Sequence, residues 1–152
     1  MADPAREAAP RRGDYPHFLS IPTRWMDNDI YGHVNNVVYL SYFDTLVNEH
    51  LIRAGGLDIQ HGPAIGLVVE TSCRFHKPLS FPEVIDAGLR VASLGNASVR
   101  YEIALFRQRE AEPAATGHFV HVWVDRAHRR PTPVPEPVRA ALAALMPSTV
   151  RS

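Results

Sequence analysis

Between Arg24 and Asp44 the chain reads RWMDNDIYGHVNNVVYLSYFD, and this stretch holds the residues best able to do chemistry. Two carboxylates, Asp27 and Asp29, stand close together in a polar, irregular segment. Gly32 permits a sharp bend, and Asn35 and Asn36 open a long helical pattern. The first turn of a helix leaves main-chain N–H groups unpaired and carries a partial positive charge. Such an end can polarise a carbonyl oxygen and hold an oxyanion. A carboxylate beside it can attack the polarised carbon or activate water. Carboxylate, tight turn and helix start together therefore describe an acyl-transfer site. Each residue also has a plainer reading. Asp27 and Asp29 can bond local backbone as loop acids do, and N-capping alone explains Asn35 or Asn36. His33 reads as a structural or exposed loop residue. Tyr39, Tyr42 and Phe43 fall at core spacing. Taken alone, the segment leaves both sets of roles open.

Other chemistries find less support. There is no Gly-x-Ser-x-Gly elbow, phosphate loop or dinucleotide fingerprint. His118 and His121 fall on a predicted strand at a spacing that points them to opposite faces, a poor metal pair. Cys73 is the only cysteine, which rules out an intramolecular disulfide, fits a reducing compartment and reads as buried core. Sixteen basic residues balance sixteen acidic ones, so nothing drives the chain toward nucleic acid or an anionic membrane. No apolar run approaches the ~20 residues that cross a bilayer. Residues 1–16 are polar and lack the apolar centre of a secretory signal. They are expected to form a mobile tail, as are residues 147–152, around one domain over 17–146, and the protein is expected to be cytoplasmic.

Positioning such a site falls to an α+β chain. His17–Trp25 reads as a first strand broken by Pro22. Asn35–Ala54 is the strongest helix, with Tyr39, Tyr42, Phe43, Leu46, Val47 and Leu51 near helical spacing and Gly55-Gly56 as its stop. Residues 65–76 alternate as a half-buried strand, with Leu67, Val69, Thr71, Cys73 and Phe75 on one face. Strands over 83–94 and 98–109 flank a hairpin turn at Leu94–Ala97. A last strand covers 116–125, with Val120, Val122 and Val124 on one side and Phe119 and Trp123 on the other. Residues 131–137 read as an extended proline-rich link and 138–146 as a short helix. One strand, a long helix and four strands in meander imply an antiparallel sheet wrapped around the helix. The second sheet face, carrying Phe119 and Trp123 or their neighbours, then calls for a second copy of the chain as cover.

The pattern Asp27, Asp29, Gly32, Asn35-Asn36 and Tyr39 closely resembles the signature of the 4-hydroxybenzoyl-CoA thioesterase family, whose members have the hotdog fold. The Gly-His-Val-Asn-Asn form at residues 32–36 resembles one large bacterial branch. The likeness continues through Arg74–Leu79, Leu94–Val99 and Phe119–Arg126, so that it covers roughly residues 17–146. The resemblance implies hydrolysis of an acyl-CoA thioester, with Asp29 as nucleophile or general base. The helix start near Asn35 and Asn36 would hold the thioester oxygen, with Gly32 and His33 on the substrate side. It makes Asp27 a structural partner of Arg24 or of loop N–H groups. It requires no metal and no cofactor, coenzyme A being part of the substrate. Phosphates on that substrate single out Lys77 and the Arg126, Arg129 and Arg130 cluster as binding candidates, although those arginines also read as a solvated turn. Glu49, late in the helix, is the weaker alternative acid, since some hotdog thioesterases use a helix glutamate. The family's habit of pairing subunits edge to edge implies a homodimer or homotetramer. Two other readings stand behind hydrolysis. A hotdog dehydratase or hydratase would need a His-Phe-Pro-type context that Gly32-His33-Val34-Asn35 lacks, and an acyl-CoA sensor usually carries a DNA-binding domain.

Overall fold

The computed structural model describes residues 9–147. A strand β1 (His17–Pro22) leads through a short 3-10 turn at Trp25–Asp27 into helix α1 (Asn36–Arg53). Then follow β2 (Ala64–Phe75), β3 (Val84–Leu94), β4 (Ser98–Arg107), β5 (Ala115–Asp125) and helix α2 (Glu136–Ala143). Asn35 is the N-cap of α1: its side chain accepts the Val37 N–H at 3.0 Å, which stops that donor from being left unpaired. The apolar spacing read from the sequence becomes the buried face of the helix, Tyr39, Tyr42, Phe43, Leu46, Val47 and Leu51, joined by His50.

All five strands form one antiparallel sheet in the order β1-β3-β4-β5-β2. This departs from a four-strand meander. Strands β3, β4 and β5 do run as one, but β2 pairs with β5, and the chain crosses the width of the sheet between β2 and β3. That crossing carries the fully buried Leu79, whose carbonyl accepts the Val34 N–H at 2.7 Å just ahead of α1. Strand β2 is left on an open edge, where the alternation of its sequence does not hold throughout. Val68 pairs His121 and Glu70 pairs Val120, so Val69 is an extra residue, a β-bulge. Beyond the bulge Thr71, Cys73 and Phe75 lie opposite Phe119, Gly117 and Ala115, on the helix side. Before it the helix side belongs to Gly66 and Val68, opposite Trp123 and His121, and Leu67 turns outward with Val122. Gly117 is required where it stands: a Cβ there would come within 2.6 Å of the Phe43 ring.

Two further expectations change. Phe119 and Trp123 do not load the outer face. Both are buried in the core with α1 and α2, so the need for a covering copy does not arise from them. The tail expected to reach Pro16 ends earlier. The Arg12 guanidinium donates to Asp86 at 2.8 Å and to the carbonyls of Arg107 and Glu110, and it lies over the Phe106 ring. Tyr15 is buried against Phe106, with the half-buried Phe18 alongside. Residues 1–8 and 148–152, the rest of the expected tails, lie outside the described residues.

One buried polar group has a measurable consequence. The His121 ring sits in the core against Tyr101, its Nδ1 3.1 Å from the phenol oxygen, and burial pushes its pKa down to about 4. Below the unfolded-state value near 6.5, the unfolded chain binds a proton that folded His121 refuses until about pH 4. Stability is therefore full above about 6.5 and falls as pH drops through that window, by as much as ~3 kcal/mol at its lower end. Burial, and then the neighbouring His17, lower His50 in the same direction. His121→Gln removes this titration and keeps a partner for Tyr101. Calorimetry at about pH 7 and about pH 4.5 should show a smaller fall in melting temperature for the variant than for the wild type; equal falls would clear His121 of the effect.

Candidate active site

The loop ahead of α1 is closed on itself. Asn28 and Val34 form a β-bridge, the Asp29 N–H donates to the His33 carbonyl at 3.0 Å, and the Gly32 N–H donates to the Asp29 carbonyl at 3.0 Å. Gly32 takes φ 81°, the left-handed region open to a residue without a Cβ. The crossing segment fixes the loop from below: Ser80 Oγ donates to the Gly32 carbonyl at 2.9 Å, and the Phe81 N–H donates to Asn28 Oδ1 at 3.0 Å.

Asp29 is held at the helix start. One carboxylate oxygen accepts the Tyr31 N–H at 2.9 Å, and the other lies 3.4 Å from the Asn35 side-chain nitrogen. The Asn35 amide thus faces Asp29 with its nitrogen and caps α1 with its oxygen. Its main-chain N–H is committed to the Asp27 carbonyl at 2.9 Å. The Val37 N–H is taken by the cap and the Val38 N–H by the Asn35 carbonyl. Among the described residues, that leaves the Asn36 N–H as the open donor of this first turn.

Next to it opens a cleft of about 300 Å³, lined by His33, Asn36, Phe75, His76 and Lys77 with Val34 and Tyr39 at its floor. Three of the residues singled out in the sequence, His33, Asn36 and Lys77, therefore share one cavity, with Gly32 and Asp29 in the loop beside it. Phe75 and His76 join them from β2; the sequence offered only their place in a matching segment. The Phe75 ring packs edge-on against Tyr39 at 4.8 Å.

The basic candidates are not brought together within one chain. Lys77 stands two residues past the end of β2, with its ammonium 2.6 Å from Glu110, whose carboxyl this hydrogen bond holds below its usual range. Arg126 and Arg130 lie at the other end of the β2–β5 pair, separated by roughly 36 Å of strand. Arg126 donates to the carbonyls of Gly62 and Ile59 and so ties down the connection after α1. Arg130 is exposed, and its N–H donates to Asp125. Glu49 is ~20 Å along α1 from Asn36 and pairs with Arg53 and His17 instead. No helix among the described residues is long and apolar enough to cross a membrane.

Asp27 has a different place from Asp29. It is 1% exposed and accepts hydrogen bonds from the Tyr42 hydroxyl at 2.7 Å, the Arg24 N–H at 2.8 Å and the Arg24 guanidinium at 3.0 Å. Burial alone would raise its pKa; the bonds from Tyr42 and Arg24 outweigh that and hold it below the ordinary value. Buried and already accepting three hydrogen bonds, this carboxylate braces the loop.

An antiparallel sheet wrapped on one central helix is the hotdog fold. The chain belongs to the thioesterase-like superfamily, whose pattern residues 23–142 match. Among solved structures it is similar to the PA5185 protein of Pseudomonas aeruginosa, with 57% identity over 91% of this chain and 97% of that one, at TM-score 0.90. A thioesterase of Thermus thermophilus complexed with coenzyme A and zinc is 30% identical over 87% of this chain and 95% of that one, at TM-score 0.72. A 1,4-dihydroxy-2-naphthoyl-CoA thioesterase of Synechocystis shares the fold at TM-score 0.76 and 18% identity, over 84% of this chain and 96% of that one.

Asp27→Asn keeps the shape of the side chain but removes the charge that Arg24 and Tyr42 bond to. It should destabilise the fold by on the order of 2–3 kcal/mol, read as a lower melting temperature, and leave the Asp29 constellation in place. An unchanged midpoint would show that the brace carries no load.

Proposed function

We propose that the protein hydrolyses an acyl-CoA thioester to the free carboxylic acid and coenzyme A, as the 4-hydroxybenzoyl-CoA thioesterase branch does. One observation carries this reading: the Asp29 carboxylate is steered by the Asn35 amide toward the same helix start that leaves the Asn36 N–H open, at the mouth of a cleft. The thioester oxygen takes the Asn36 N–H, and the partial positive charge of α1 lowers the cost of the developing oxyanion. Asp29 either attacks the carbonyl carbon itself or takes a proton from the water that attacks. In both routes the C–S bond breaks, the thiol of coenzyme A leaves with a proton, and water supplies the second carboxylate oxygen. Gly32 and His33 border the acyl side, and Lys77 stands at the mouth. The likeness to a thioesterase that binds coenzyme A supports the choice of substrate. The same reading makes the protein cytoplasmic, with no metal or cofactor in the reaction.

The open edge completes the site. Along β2, Val68, Val69 and Phe75 are 47%, 60% and 48% exposed, and a twelve-residue strand with one edge unpaired is an invitation to pair. Antiparallel pairing with the β2 of a second copy, about a two-fold axis near Val69–Thr71, continues the sheet across both chains. It brings the Arg126–Arg130 segment of the second copy to the end of β2 where Lys77 stands, so one coenzyme A could meet all three basic residues. The active species is then a homodimer, or a homotetramer built from two of them.

Asp29→Asn should fold and bind acyl-CoA like the wild type while losing on the order of 10²–10⁴ in kcat across a panel of acyl-CoAs followed by thiol release. Near-normal kcat in that variant, with loss in Glu49→Gln, would move the acid to α1; a wild type inert on every thioester would leave a binding protein. The edge is tested by Val69→Lys with Thr71→Lys, which sets like charges across the two-fold axis. Light scattering should find a monomer with little thioesterase activity, and a fully active monomer would defeat the shared-site arrangement.

A further inference from the structure

The outer face of the sheet carries a polar row that the cleft does not use. Register places Arg90, Glu102, His118 and Ser72 directly across β3, β4, β5 and β2. Opposed residues of antiparallel strands share a face. On the neighbouring rungs stand Arg100, in line with Val120 and Glu70, and Arg74, in line with Thr116. Together with Tyr15 and Pro10 of the N-terminal segment, they line a groove of about 640 Å³.

Charge in this groove is uneven. Glu102 is occupied by the Arg90 guanidinium at 2.8 Å, and Arg90 is also stacked on the Tyr15 ring. Glu70 is engaged by His118: its carboxylate lies 2.5 Å from Nε2, and it meets Arg100 only at 3.7 Å. The other ring nitrogen of His118 lies 2.7 Å from Ser72 Oγ, so the imidazole is clamped at both ends. Arg74 makes no ion pair among the described residues. Three guanidinium groups thus line the groove with one carboxylate, Glu102, which Arg90 engages, and Glu70 beside it is engaged by His118, on a chain whose total charge is balanced. Planar forks of which one is unpaired and another loosely paired suit a tetrahedral anion.

We propose that this groove is a second ligand site, separate from the thioester cleft, that binds the phosphate or diphosphate of a small phosphorylated molecule. Arg74 and Arg100 grip the anion from the rungs on either side of Ser72, while the Ser72 and Thr116 hydroxyls, held by His118 and His76, border it. The site sits on the opposite face of β2 from the cleft: Ser72 and Arg74 point outward, Cys73 and Phe75 toward the helix. Anion binding here is read without turnover, so it is independent of whether the cleft hydrolyses thioesters.

Isothermal titration of the full chain with pyrophosphate, ADP and adenosine 3′,5′-bisphosphate tests it. Pyrophosphate should bind, Arg74→Ala and Arg100→Ala should each weaken it by on the order of tenfold, and added salt should do the same. Arg53→Ala, on α1 away from the groove, should leave binding unchanged. Tighter binding of ADP than of the bisphosphate would identify a free nucleotide as the source of the phosphate; the reverse order would identify the nucleotide end of coenzyme A. Absence of pyrophosphate binding, equal binding of citrate, or binding indifferent to both arginine variants would overturn the proposal. So would a change of oligomeric state in Arg74→Ala by light scattering, which would make the groove a contact between copies.

Discussion

Just before α1 the carboxylate of Asp27 accepts the hydroxyl of Tyr42 from inside the helix, while the main-chain carbonyl of the same residue accepts the N–H of Asn35 at its cap. These two bonds hold loop and helix in one orientation. Taking a charged carboxylate out of water is costly, and it is offset here only because Arg24 and Tyr42 supply charge-assisted donors in good geometry. The arrangement decides which donors of the first turn are used up. The Asn35 main-chain N–H donates to the Asp27 carbonyl, its side-chain oxygen accepts the Val37 N–H, and its side-chain nitrogen turns to Asp29. Asp27 thereby anchors the loop that carries Asp29 beside the cleft.

The sheet places the rest. Because the chain crosses from β2 to β3 past the helix start, Leu79, Ser80 and Phe81 become the supports of the loop that bears Asp29. The crossing also sends β2 to the far edge beside β5. That one topological choice sets the cleft at the open end of an exposed strand and leaves the basic residues at opposite ends of a single chain.

Local features were legible in the sequence and non-local ones were not. The helix and its buried face followed from residue spacing, and the β3–β4 turn followed from Gly95-Asn96, whose closing bond runs from the Gly95 N–H to the Ser98 carbonyl. The resemblance left Asp27 as a partner of Arg24 or of loop N–H groups, and the structure gives it the Arg24 main-chain N–H and guanidinium together. Tyr42 as its second partner was not readable, because a tyrosine at core spacing gives no sign of where its hydroxyl points. The pairing of β2 with β5 depends on which distant strand satisfies an edge, and alternation says nothing about partners. The packed segment at Arg12–Tyr15 looked like a tail because its composition is polar; it is ordered by a single guanidinium spread over Asp86 and two carbonyls. Of the two asparagines at the helix start, sequence could not choose the cap, and the choice of Asn35 is what leaves Asn36 with an unclaimed N–H.

The extra residue in β2 gives that strand two phases. Up to Val68 the reading frame of the pleat assigns one set of positions to the helix side; after Val69 it assigns the other. Phe75 reaches the cleft and Arg74 the opposite surface only because the frame has slipped by one. Removing that single residue would let Val68 and Glu70 follow one another against His121 and Val120 as ordinary rungs, so the faces on either side would be kept and only the local kink and twist would be lost. Related chains without the extra residue, aligned to this one with no gap at Val69, would show their inner and outer residues exchanged beyond that point.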